Sequence, residues 1–323
     1  MKPPFLTTNS HLTRHNIMHF ITDDHVRRLI TMRDAIAELR LALIEHGAGR
    51  ASVQPRVRTK GEHVSISAMG AILPSAGVCG AKIYSTHRGR FDFVVPLFSS
   101  EDGQLMSILH GDALTEFRTA AVTRIASDAL ARPDARVLAV FGTGRQARAH
   151  IRALADNSSI ERVLIAGIDH VAQTVAEMQA YFPDKLIEGS HAHAAAQAAD
   201  VIVTATRSAT PLFDGTCVKA GAFVAAIGSS KPDARELDDA LLARASTLVV
   251  ESLEQARTEA GDLLMAASGV VDGDRVVELG VVLTNPQIAD RARGDVTIFK
   301  SLGFGLSDIA LAGLITRRMT REE

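Results

Sequence analysis

The chain has 323 residues, with 35 Lys and Arg against 37 Asp and Glu, a formal net charge of −2 and 46% hydrophobic residues. Its length suggests about two domains, and the near-neutral balance gives no electrostatic basis for a nucleic-acid or anionic-membrane partner. Cys79 and Cys217 stand far apart in no metal or redox spacing and read as reduced, buried thiols of a cytoplasmic protein.

No apolar run reaches the roughly 20 residues of a membrane-spanning helix, and the N-terminus lacks the apolar core of a signal peptide. Residues 1–17, with His11, Arg14, His15 and Asn16, are polar and irregular and predict a disordered extension, with Met18 resembling a second start. Thr22 is suited to cap a helix in which Val26, Leu29 and Ile30 share a face. A second helix is expected from Met32 to His46, with Ile36, Leu39, Leu43 and Ile44 at helical spacing and Gly47 at C′. Strand character follows. Val64, Ile66 and Ala68 alternate with His63, Ser65 and Ser67, as do Phe91, Phe93, Val95 and Leu97 with their neighbours, and Leu105 to His110 is a further candidate. Arg88-Gly89-Arg90 and Glu101-Asp102-Gly103 suit hairpin turns. This predicts a mostly antiparallel unit. A helix from Thr115 to Ala131, with Thr115 as cap, Glu116 in its first turn and Pro133 beyond its end, connects that unit to the next.

From Val137 the pattern changes to alternating strands and helices. Val137, Leu138, Val140 and Phe141 form the apolar run of a central parallel strand. Gly142, Gly144 and Ala147 follow at the spacing G-x-G-x-x-A. There the first glycine permits a tight turn, the second lets backbone N–H groups approach a pyrophosphate, and the small third residue lets the helix pack on the strand. A helix from Arg145 adds its N-terminal partial charge. Strands at Arg162 to Ala166, Val201 to Thr204, Phe223 to Ile227, Leu248 to Val250 and Val296 to Phe299, with a helix from Val171 to Tyr181, complete a doubly wound pattern. A last helix, Asp308 to Arg318 with Ser307 as cap, is expected to return to the first unit. The fold class is therefore α/β: a Rossmann-type parallel sheet over 129–300, plus a mixed α+β substrate and dimerisation domain built from 18–128 and 301–323.

The turn predicts a cofactor, NADH or NADPH, held by Gly142, Thr143, Gly144, Arg145, Gln146 and Ala147, with Thr206 and Gly228 at the ends of later strands. Asp169 lies where a carboxylate would accept hydrogen bonds from the adenine ribose and repel a 2′-phosphate, which leans toward NADH. Arg145 and Arg148 read equally as phosphate ligands or solvated helix charges. His191 and His193 are two residues apart, on different faces of the alanine-rich helix expected from His191 to Ala199, and no metal site is expected. Glu236, Asp238 and Asp239 read as a helix start, and Glu251, Glu254 and Glu259 as a solvated face or a loop near the cofactor. Arg118 is a charge in a small, apolar helical stretch, Phe117 to Ala121. An unpaired charge there is costly, so Arg118 is expected to face a cleft.

Several segments carry a family resemblance. Gln54-Pro55-Arg56, Gly80-Ala81-Lys82-Ile83-Tyr84, the stretch from Gly111 to Ala121 with Leu114-Thr115-Glu116-Phe117-Arg118-Thr119-Ala120-Ala121, and Phe299-Lys300-Ser301-Leu302-Gly303 resemble the ornithine cyclodeaminase/mu-crystallin family. So do the glycine turn and Ile227 to Asp238, and the match spans about residues 20–320. The resemblance implies a homodimer joined through the first domain, with substrate and nicotinamide meeting between domains. It implies that Arg56, Lys82 and Arg118 bind a substrate carboxylate, with Lys82 and Arg118 also catalytic. Where cyclodeaminases carry an aspartate this chain has Ser230. Serine cannot supply that charge, so the resemblance points to the ketimine reductase branch and to reduction of a cyclic 2-imino acid, Δ1-pyrroline-2-carboxylate or Δ1-piperideine-2-carboxylate. Ser230 reads as a hydrogen-bonding site residue or a plain turn residue, and Asp308 as the cap or first residue of the last helix or as a residue that orients a cleft side chain. An open-chain amino-acid dehydrogenase, a cyclodeaminase and a non-catalytic NADPH-binding protein remain as alternatives.

Overall fold

The structure is a computed structural model and describes residues 18–271, 273–285, 287–288 and 295–322. The expected N-terminal extension lies outside those residues. The chain forms two sheets. The first holds β1 (His19–Ile21), β2 (Ser52–Val53), β3 (Val57–Lys60), β4 (Ser65–Leu73), β5 (Val78–His87), β6 (Arg90–Ser99) and β7 (Leu105–His110). Its order is β1-β7-β6-β5-β4-β2, with β3 also on β4, and all pairs are antiparallel except β1 with β7. The β5–β6 hairpin turns on Arg88 and Gly89, both at positive φ, as a type I′ turn requires.

Helices α1 (Asp23–Leu29) and α2 (Met32–Gly47) start at Thr22 and Thr31, each accepting the N3 backbone N–H in a capping box. Gly47 is the last helical residue rather than C′. Its role is close approach, since a Cβ there would sit 2.2 Å from the Gly280 carbonyl oxygen. The alternation expected in β4 runs the other way: Ile66 and Ile72 are exposed, whereas Ser67, Met69, Ala71 and Leu73 are buried. The inward face must admit a helix at close range, and the bulky β-branched residues occupy the outer face. Helix α3 (Asp112–Leu130) begins before Thr115, which is therefore not its cap. The Asp23 carboxylate accepts the Ala113 N–H at 2.7 Å, so this helix start is fixed by a distant segment.

The second sheet is wholly parallel. In chain order it contains β8 (Val137–Phe141), α4 (Arg145–Ala155), β9 (Arg162–Ala166), α5 (Val171–Tyr181), β10 (Leu186–Gly189), α6 (Ala192–Ala198), β11 (Val201–Thr204), β12 (Phe223–Ala226), α7 (Asp239–Arg244), β13 (Ala245–Val250), α8 (Leu253–Glu259), α9 (Gly261–Leu264), β14 (Val276–Glu278), α10 (Leu279–Thr284) and β15 (Val296–Lys300). The spatial order is β10-β9-β8-β11-β12-β15-β13-β14. The strand order reverses between β8 and β11, which lie side by side and parallel, and this is the switch point where such sheets bind ligands. The edge strands β10 and β14 are too short to show a period in sequence.

The last helix, α11 (Gly305–Glu322), returns to the first sheet and packs against α2, β4 and β5. It starts at Gly305, where a Cβ would lie 3.0 Å from the Gly70 carbonyl, so Ser307 is buried inside the first turn and does not cap. Cys79 and Cys217 are free and half-buried rather than buried. Among the described residues no helix is long and apolar enough to cross a membrane.

Candidate active site

The carboxyl ends of β8, β11, β12 and β15 converge on one cleft. At the end of β8, Gly142 has φ +117°, and a Cβ would lie 2.6 Å from the Ala205 carbonyl. Gly144 is the N-cap of α4 with no side chain capping the helix, and a Cβ there would meet nothing within 4 Å. The first-turn N–H groups of α4 therefore open onto free space, a cradle that fits a dinucleotide pyrophosphate. Ala147 is fully buried against the strand. Arg148 does not reach toward this space. It bonds the Thr143 carbonyl, Glu177 at 2.8 Å and Thr174 at 3.3 Å, bracing the turn, while exposed Arg145 faces Asp112 at 3.2 Å. Asp169 is exposed just past β9 and accepts from Thr143 Oγ1 at 3.3 Å.

Thr206 and Gly228 are joined by Glu236. This fully buried carboxylate accepts from the Thr206 N–H (2.8 Å) and hydroxyl (2.6 Å), the Thr204 hydroxyl (2.8 Å) and the Gly228 N–H (2.9 Å). Glu236 is thus a staple across two strand ends and not part of a helix start. Asp238 and Asp239 do begin α7, as N-cap and first-turn residue. Buried Asp262 in turn accepts the Glu236 and Leu237 N–H groups, and its other oxygen lies 2.8 Å from Lys300 Nζ. Lys300 donates to the Ser229 carbonyl at 2.6 Å. That contact fixes the loop carrying half-buried Ser230.

The cationic side of the cleft is built by α3, β5, the β2–β3 connection and the start of α11. Arg118 is 7% exposed. Its Nε lies 3.3 Å from Asp308 Oδ1, and its two terminal nitrogens donate to no described residue. A nearly buried guanidinium with unused donors is an anion site in waiting. Gly303 (φ +80°) marks the convergence: a Cβ there would lie 3.0 and 3.1 Å from the Arg118 terminal nitrogens and 3.2 Å from Arg56 Nη2. Arg56 is already engaged, paired with Glu259 and donating to the Leu302 carbonyl at 2.6 Å. Glu251, fully buried, accepts from Ser301 Oγ (2.9 Å) and from the Leu302 and Gly303 N–H groups (2.7 and 3.2 Å), and burial pushes its pKa up. Of the three glutamates expected on a solvated face or a loop near the cofactor, only Glu254 is exposed. The others hold the loop that frames the arginines.

Lys82 is 1% exposed, bonds Thr115 Oγ1 and Asp308 Oδ1 (3.1 Å), and lies 4.3 Å from the Phe93 ring centroid. Burial lowers its pKa to about 7, with Asp308 opposing the shift and Arg118 and Arg56 adding to it. Asp308 is not a cap. It is a fully buried carboxylate shared by Lys82 and Arg118. Gln146 Nε2 donates to the Thr115 carbonyl at 3.4 Å, linking this cluster to the glycine turn. Behind it, buried His150 donates Nδ1–H to the Gln146 carbonyl at 2.7 Å and accepts from Thr123 at 3.0 Å. The structure thus brings Arg56, Lys82 and Arg118 together. Sequence reasoning missed the roles of Glu236, Lys300 with Asp262, and His150; it left Asp308 between a helix cap and a cleft-orienting residue, and Glu251 between a solvated face and a loop near the cofactor, and the structure buries both with partners. For Asp308 a signal was present, a charge among Leu306, Ile309, Ala310 and Leu311, the same kind that singled out Arg118. Among the described residues no cluster of His, Cys, Asp and Glu could hold a metal.

Comparison with known proteins gives concordant results. The model of the ornithine cyclodeaminase/mu-crystallin family matches residues 16–323. A Δ1-pyrroline-2-carboxylate reductase from Bacillus cereus is 30% identical over 91% of this chain and 94% of its own length. A crystal structure of a probable ornithine cyclodeaminase from Bordetella pertussis superposes with TM-score 0.92 at 41% identity, covering 95% of this chain and 98% of that one. The Thermococcus litoralis Δ1-pyrroline-2-carboxylate reductase in complex with NADH and L-proline superposes with TM-score 0.86 at 25% identity, over 94% of this chain and 98% of that one.

Proposed function

The chain belongs to the ornithine cyclodeaminase/mu-crystallin family, and from that premise we propose that it is an NAD(P)H-dependent reductase of a small cyclic 2-imino acid, Δ1-pyrroline-2-carboxylate or Δ1-piperideine-2-carboxylate, to the corresponding L-amino acid. The observation that carries this reading is Arg118, nearly buried beside a cradle for a dinucleotide, its terminal nitrogens unused among the described residues. Residues 18–128 and 301–323 form the substrate-binding and dimerisation unit, and 129–300 the dinucleotide-binding unit.

The bound dihydronicotinamide supplies the hydride. Arg118 takes the substrate carboxylate in a bidentate grip, and Arg56, held by Glu259 and the Leu302 carbonyl, adds positive charge beside it. Holding the carboxylate fixes the C=N carbon, so these residues act by positioning. Lys82 lies on the other side of Asp308, where it gives a proton to the imine nitrogen as the carbon accepts the hydride. A lysine with pKa about 7 is matched to proton transfer near neutral pH. Ser230, on the loop after β12, hydrogen-bonds substrate or water near the nicotinamide. Asp169 favours NADH. The outer face of the first sheet exposes Phe20, Ile66 and Ile72, which a second copy would cover in a homodimer.

The test is nicotinamide absorbance followed with each cyclic imine and with NADH or NADPH. Oxidation of the cofactor is expected, faster with NADH, and no oxidation with either imine would refute the proposal. The 41% identity to a probable ornithine cyclodeaminase keeps a second reading in play. Release of ammonia from ornithine without net cofactor change would establish it.

A further inference from the structure

We propose that Asp308 is the positioning residue of this site: its carboxylate holds the Lys82 ammonium charged and in place, and divides the cations into one that binds the carboxylate, Arg118, and one that delivers the proton, Lys82. The inference rests on the reductase reading above.

Geometry carries it. Asp308 is fully buried on α11, and its Oδ1 lies between Lys82 Nζ at 3.1 Å and Arg118 Nε at 3.3 Å. Its Oδ2 is buried and has no hydrogen-bond partner among the described residues. A carboxylate placed only for packing would normally have both oxygens satisfied, and here one remains available to an N–H group entering the site. The groups facing Lys82 come from four elements. Asp308 on α11 favours the ammonium; Arg118 on α3 and Arg56 before β3 oppose it. Thr115 Oγ1 on α3 accepts a hydrogen bond from it, and the Phe93 ring on β6 covers it. Asp308 is therefore the carboxylate offsetting both burial and two neighbouring guanidinium groups. The proton balance follows: the imine carbon gains the hydride, the nitrogen gains the Lys82 proton, and neutral Lys82 is recharged from solvent before the next turnover.

The test uses the intact enzyme and reads Lys82 in two ways. In Asp308→Asn, the midpoint at which reductive kcat/KM falls with rising pH should move down by at least one unit, while KM for the imine changes less than threefold. The reverse oxidation of the L-amino acid, which needs neutral Lys82, should move down in pH by the same amount. Without cofactor, a 15N NMR titration of Lys82 Nζ should show the same displacement, and Asp308→Glu should restore the wild-type midpoint. In Thr115→Val, which tests the other acceptor independently of whether Asp308→Asn folds, the midpoint should stay within half a unit. A midpoint unmoved in Asp308→Asn, or lowered by a unit or more in Thr115→Val, would overturn the proposal. If the wild type reduces no imine, the functional reading fails instead, and the NMR titration still decides the role of Asp308.

Discussion

Replacing Arg118 with alanine removes a guanidinium whose terminal nitrogens donate to no residue among those described. Each charge-assisted hydrogen bond to a carboxylate contributes about 1.5–3 kcal/mol, so losing a bidentate pair costs about 3–6 kcal/mol. At 1.36 kcal/mol per factor of ten, that is a fall of roughly 10²–10⁴ in kcat/KM for the imine. Both KM and kcat should suffer, because the grip that binds the carboxylate also sets the C=N carbon for hydride transfer. Folding should survive, since Asp308 keeps Lys82 at 3.1 Å and is not left an isolated buried charge. The dinucleotide cradle at Gly142 to Ala147 belongs to another element, so the Kd for NADH, read by fluorescence quenching, should change less than twofold. Steady-state kinetics and that titration together decide the matter. A variant whose kcat/KM stays within threefold of wild type, or whose NADH affinity drops in step with its activity, refutes the assignment of Arg118 as the carboxylate grip.

Three further outcomes follow from the same geometry. Glu236→Gln keeps the size of the staple but turns an NH2 group toward a donor, at about 1–3 kcal/mol for each donor left unpaired; thermal denaturation should show Tm lower by several degrees, and the Kd for NADH should weaken because Thr206 and Gly228 lose their common anchor. His150, buried and held neutral by desolvation with Arg118 adding to the effect, has its pKa lowered from 6.5 to about 4. The unfolded chain then binds the proton first as pH falls, so stability present above pH 6.5 is lost toward pH 4, on the order of 3 kcal/mol; urea midpoints at pH 7 and 4.5 should differ less in His150→Gln than in wild type. Asp169→Ala removes the exposed carboxylate past β9 and should shift the ratio of kcat/KM for NADH over NADPH toward NADPH by about tenfold or more; an unchanged ratio would place cofactor choice elsewhere.

The sequence by itself determined what depends on short-range geometry. The glycine turn, the strand–helix alternation and elements such as Val171–Tyr181 and Val201–Thr204 were legible because periodicity and glycine backbone freedom act over a few residues. Arg118 was legible too, because a charge in a small apolar helix face must have a reason. Only the tertiary structure decided where buried charges find partners. Asp308 read locally as a cap or a residue orienting the cleft, and only the fold decided between them: α11 starts at Gly305 and the carboxylate meets Lys82 from 226 residues away in the chain. Thr115 read as a cap until Asp23 took over the start of α3. Glu236 read as part of a helix start, and Glu251 as a solvated face or a loop near the cofactor, until the strand ends closed around them. The inward face of β4 was inverted because the register against β5 and the approach of Gly305 outrank the preference of isoleucine for burial. Ion pairs, caps supplied by distant segments and sheet faces depend on which segments meet, and local sequence holds no record of that meeting.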